Sequence, residues 1–82
     1  MCPAPSSLFT GTLQVDDAAR QVRLLLDGIP GSILLELGGS PDAAYVQFSG
    51  SGTGARLTCC AVREFDPAVG EDVLQVTQVV EL

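Results

Sequence analysis

The chain has 82 residues, with 4 Arg against 10 Asp plus Glu, no Lys, no His and a hydrophobic share of 46%. That length is one domain without room for a separate catalytic lobe, and the apolar share is enough for a packed core. A formal net charge of −6 opposes binding to nucleic-acid backbones and anionic membranes, both of which draw affinity from Lys and Arg.

Residues 1–7 (MCPAPSS) are Pro- and Ser-rich without periodicity, which predicts a flexible N-terminal tail ahead of a single domain over 8–82. No charged stretch followed by an apolar one opens the sequence, and no apolar run approaches the roughly 20 residues of a membrane span. The expectation is therefore a cytoplasmic protein. From Leu8 the chain alternates as a strand, with Phe9, Gly11, Leu13 and Val15 on one face and Thr10, Thr12 and Gln14 on the other. Residues 16–19 supply a turn, and Val22, Leu24 and Leu26 then alternate with Gln21, Arg23 and Leu25. The stretch 17–26 also fits a short helix, with Asp16 as N-cap, a stripe through Ala18, Ala19, Val22, Leu25 and Leu26, and Gly28 as the stop. Its length favours the hairpin.

After the break at 28–31, Ile33, Leu35 and Leu37 alternate with Leu34 and Glu36. A turn at 38–42 leads to a further expected strand, with Ala44, Val46 and Phe48 opposing Tyr45, Gln47 and Ser49. A flexible loop at 50–54 precedes the β-prone run 55–65, and 66–70 breaks it. The last strand, 72–82, would turn Leu74, Val76, Val80 and Leu82 inward, with Gln78 marking a bulge or a hydrogen bond at the rim. Strands at this spacing, punctuated by Gly and Pro, predict an all-β fold: a five- to six-stranded antiparallel barrel or sandwich. Unless the barrel closes over the final strand, its lysine-free edge is a natural place for another chain to pair.

Two segments carry resemblances. Phe48-Ser49-Gly50-Ser51-Gly52-Thr53, continuing to Leu57-Thr58, is similar to a hairpin of immunoglobulin light-chain variable domains, although the paired cysteines and core Trp of that family are missing; it implies a hairpin there. The pattern from Gly54 to Leu82, with its Pro/Gly turn and closing Val-Leu-Gln-Val-Thr, resembles the last hairpin of OB-fold barrels and favours that Greek-key arrangement. Fold resemblance does not carry function with it.

Cys2, Cys59 and Cys60 do not make a disulfide framework, and an odd count without CxxC spacing fits a reducing compartment. On a strand, Cys59 and Cys60 would point to opposite faces, one buried and the other half-exposed. Gly50-Ser51-Gly52-Thr53-Gly54 invites a phosphate-loop reading, but no helix pattern or Lys follows it. The acidic pairs Asp16-Asp17 and Glu71-Asp72 lack calcium-loop spacing, and a Ser or Cys nucleophile has no His or Lys base. No catalytic residue, metal ligand or cofactor site is expected.

What remains is a non-enzymatic, acidic protein-interaction module (an accessory subunit, inhibitor or immunity-type protein) that binds a protein through an edge strand or an apolar surface. Leu25, Ile29, Leu34, Tyr45 and Val69 are the expected contacts. The alternative is an OB-like binder of single-stranded nucleic acid, disfavoured by charge, with Arg23, Tyr45, Arg56 and Arg63 as contacts. A third reading is self-assembly into a homo-oligomer through edge strands. No membrane association is expected.

Overall fold

Alternating apolar residues carry β1 (Ser7–Asp16), β2 (Gln21–Leu26), β3 (Ser32–Glu36), β4 (Arg56–Asp66) and β5 (Glu71–Glu81) in the computed structural model, which describes residues 2–82. The strands close into a barrel in the order β1-β2-β3-β5-β4, with β1 pairing β4 to complete the ring. All pairings are antiparallel except β3 with β5, a parallel seam of three pairs from Leu34↔Val73 to Glu36↔Gln75. The expected all-antiparallel arrangement is corrected at this seam. A parallel neighbour needs a crossover, and the chain between β3 and β4 supplies part of it as a helix, α1 (Pro41–Phe48). This strand order with a helix before β4 is that of an OB-type barrel.

Inward residues follow the predicted alternation. Leu13, Val22, Leu24, Ile33, Leu35, Leu57, Cys59, Ala61, Leu74 and Val76 form one buried cluster, with Ala44 and Phe48 of α1 packed into it. Gly11 lies where β1 runs against β2; a Cβ there would collide with the backbone carbonyl of Leu25. Residues 17–20 form a turn and 21–26 a strand, so the hairpin reading of this region holds and the helix reading does not.

The helix lies instead where a strand was expected. Ser40 caps it, its Oγ accepting from the Ala43 N–H at 3.1 Å, Pro41 opens the first turn, and Asp42 adds an acidic residue there. Ala44 and Phe48, read as alternate residues of a strand, are four apart on one helical face, and both are buried; Val46, expected on their side, is 66% exposed. The helix runs into a 3₁₀ turn (Ser49–Ser51), so no hairpin forms at 48–58.

Cysteine pairing also departs from expectation. Cys2 is bonded to Cys60, with Cα atoms 5.5 Å apart, while Cys59 is free and buried in the core. The two neighbours do point to opposite faces, but Cys60 is buried because the N-terminal segment covers it. That segment is correspondingly tied down: the Ser6 N–H donates to Pro3 O, and Ser6 Oγ lies 2.8 Å from Thr77 Oγ1.

β5 has register shifts against β4 between Thr58/Cys59 and between Cys60/Ala61, the second next to Gln78 as its polarity suggested. Beyond them Val80 and Leu82 are exposed rather than inward, because the core ends at Val76.

Candidate functional site

β5 is eleven residues long and β3 is five. The parallel seam uses only residues 73–75 of β5, so from Val76 to Glu81 the strand has β4 on one side and no strand on the other. Backbone donors and acceptors along such an edge are available to another extended chain. Residues 76–80 carry no charge and no Pro. A cleft of about 230 Å³ opens beside this edge, lined by Leu37, Gln47, Val76, Thr77, Gln78 and Val79, so that α1 forms its far wall. Val79, Val80 and Leu82 on this strand and Val46 on α1 are between 39% and 66% exposed.

The residues expected to form a partner surface are not gathered in one place. Leu34 is fully buried: the bidentate pair of Arg23 on β2 with Glu71 on β5 (2.7 and 3.1 Å) spans β3 on the side where Leu34 lies. Leu34 is therefore a core residue and not a surface contact. Leu25 is half-buried on the outer face of β2, Ile29 is exposed in the β2–β3 connection, and Val69 is half-buried in the β4–β5 turn. Tyr45 is half-buried on α1, its hydroxyl donating to Asp17 at 2.6 Å and its ring lying 4.7 Å from the Arg20 guanidinium.

The nucleic-acid alternative drew on Arg23, Arg56 and Arg63, and each meets a carboxylate. Arg23 holds Glu71, Arg56 holds Asp27 at 2.5 Å and Arg63 holds Asp72 at 3.3 Å; Arg20 holds Asp42 at 2.6 Å. Hydrogen bonds to these guanidinium groups hold Asp27, Asp42 and Glu71 below their usual range, so the acids stay ionised as partners at neutral pH. A phosphate would have to displace a carboxylate at each arginine.

One polar group of the interior gave no sequence signal beyond being a charge in an apolar run. Glu36, last in β3, is fully buried. Its Oε1 accepts from Gln75 Nε2, and Gln75 Oε1 in turn accepts from the Gly39 N–H at 2.9 Å. Burial, chiefly, and then the neighbouring Asp66 push the Glu36 carboxyl up to about 7, with Glu64 adding to the repulsion. The free thiol of Cys59 is pushed up to about 11 by burial, so it is neutral and shielded at physiological pH. Among the described residues no group of three or more acids, cysteines or histidines could hold a metal ion, and no helix is long and apolar enough to cross a membrane.

No protein-family model, curated protein or solved structure matches the chain.

Proposed function

We propose that this barrel is a non-enzymatic protein-interaction module that receives an extended segment of a basic partner protein along the free edge of β5. The observation that carries this reading is the open edge at 76–81 beside the cleft, lined by Leu37, Val76 and Val79 together with Gln47, Thr77 and Gln78, that runs to α1. Strand addition gives affinity through main-chain hydrogen bonds, and the cleft offers a pocket for alternate side chains of the added strand. Charge complementarity favours a basic partner: the chain carries −6, and each of its arginines is already matched by an acid.

The OB-type topology supports the nucleic-acid reading as the alternative, with the paired arginines against it. A homo-oligomer through the same edge is the third reading; two copies would each bring −6 to the contact. The odd cysteine count fits a reducing compartment, whereas the Cys2–Cys60 bond supports an oxidising environment.

The test is affinity capture from cells of the source organism, with and without nuclease, using the wild-type chain and Val79→Lys as baits. A lysine on an exposed edge blocks pairing while leaving the core intact. The expected result is a stoichiometric basic partner that survives nuclease and is lost from the variant. Retention that depends on nucleic acid, or equal retention by both baits, overturns the reading.

A further inference from the structure

The N-terminal segment is tied to the barrel at two points that converge on Cys60. Cys2 is bonded to Cys60 on β4, and Ser6 Oγ lies 2.8 Å from Thr77 Oγ1 on β5. Thr77 Oγ1 donates to Cys60 O at 3.1 Å, which uses its one proton, so Ser6 is the donor of the 2.8 Å bond. Thr77 is itself an odd residue of the ladder. Cys60 faces Gln78 and Ala61 faces Val76, which leaves Thr77 between them as the extra residue of a bulge. It is also the second residue of the open edge of β5, and it lines the cleft beside that edge.

Little else holds the segment. Pro3, Ala4 and Pro5 are exposed, and the Ser6 N–H donates within the segment, to Pro3 O. Among the described residues, the buried cluster draws none from 2–6, and the Ser6–Thr77 contact is the one hydrogen bond from 2–6 to the barrel. Cys60 is 1% exposed beneath the segment, whereas Cys2 is half-buried, so the bond is approached from the Cys2 side.

We propose that residues 2–6 are a redox-released strap. The Cys2–Cys60 bond holds it against the Thr77 bulge; reduction by a dithiol frees it, uncovers Cys60 and withdraws the support of Ser6 from the open edge of β5. A thiolate of the dithiol attacks the Cys2 sulfur, the Cys2–Cys60 bond breaks, and the Cys60 sulfur leaves with the electron pair and takes up a proton. The second thiol of the dithiol then displaces the Cys2 sulfur, which takes up the other proton. Two electrons and two protons pass to the chain, which ends with two thiols, and the dithiol ends as a disulfide. Oxidation re-forms the same bond, because Cys59 points into the core on the opposite face of β4, away from Cys60. Since the strap supplies no core residue, its release is a local opening with the barrel still folded. The device goes beyond the partner reading and stands whether or not another chain pairs with β5.

The experiment treats the folded full chain with dithiothreitol, applies a brief pulse of iodoacetamide and locates the modified cysteines by fragment mass spectrometry. Nitrogen-15 NMR is recorded on the oxidised protein, the reduced protein and oxidised Ser6→Ala, which keeps the bond and removes only the hydroxyl contact. The expected result is modification of Cys2 and Cys60 with Cys59 untouched, and order parameters of the non-proline residues of 3–6 that fall below about 0.6 on reduction. The Thr77 and Gln78 amide signals should shift on reduction and also in Ser6→Ala. Modification of all three cysteines would mean that reduction unfolds the barrel, and modification of Cys2 alone or of neither bonded cysteine that the strap stays down. Thr77 and Gln78 signals unmoved in both samples would mean that the strap does not support the edge. Each of these results overturns the proposal.

Discussion

Gly11 and Leu34 show how much of this fold is fixed by single side chains. At Gly11 the missing Cβ is a packing requirement, since any side chain meets the Leu25 carbonyl across the β1–β2 pairing. Gly11→Ala is expected to cost roughly 1–3 kcal/mol, the range of overpacking, measurable by urea unfolding; unchanged stability would show that the strands can part there at no cost. Leu34 reads from sequence as an exposed residue because it is out of phase with the core alternation. It is buried because β3 is a central strand with β2 on one side, β5 on the other, and the Arg23–Glu71 pair across its outer face. Leu34→Ala is expected to lose about 2–5 kcal/mol in the same assay and to leave partner binding per folded molecule unchanged. Glu36 was illegible for a related reason: one charge in an alternating strand is most often a solvent-facing residue, and its burial depends on which strand becomes its parallel neighbour.

At the scale of elements, the strands of the first hairpin and the last two strands were legible because alternation and turn chemistry agreed over long stretches. The segment 41–48 was not. With a period of two or four, Ala44 and Phe48 fall on one face either way, and Ser40-Pro41-Asp42 serves equally as a turn and as a helix start. The cap hydrogen bond decides it, and Ser40→Ala is expected to cost about 1 kcal/mol with a loss of helical signal in circular dichroism. An unchanged spectrum and stability would mean that core packing of Phe48 alone holds α1. The N-terminal segment reads from sequence as free because cysteine pairing cannot be deduced from an odd count. With Cys2 bonded to Cys60, the native protein should show no thiol reactive to alkylating agents, and the unfolded, unreduced protein should show one, Cys59. Two or three modified thiols by mass spectrometry would contradict the bond. Removing it in Cys2→Ser should lower stability by about 2–4 kcal/mol, since the bond closes a long loop of sequence separation 58.

For the whole molecule, the fold class could be read from the sequence and the final strand named as a pairing edge, whereas the part of that strand left open could not be located. Strand count and punctuation suffice to predict a small barrel, but an open edge depends on unequal strand lengths across a pairing between β3 and β5 that are distant in sequence. The short β3 against the long β5 leaves the edge; the bulges in β5 carry Val79, Val80 and Leu82 past the end of the core. Net charge enters at this scale as well. With the arginines matched by acids, the field of the molecule is that of its surplus carboxylates, which speeds encounter with a basic surface and weakens as salt is added.

The most direct measurement is amide hydrogen exchange of residues 76–81, made on the isolated chain and again with the captured partner bound. In the free chain only the amides of this segment directed at β4 should be protected, and those on the open side should become protected in the complex. Protection on both sides in the isolated chain, or protection gained around Arg23, Arg56 and Arg63 instead, would contradict it.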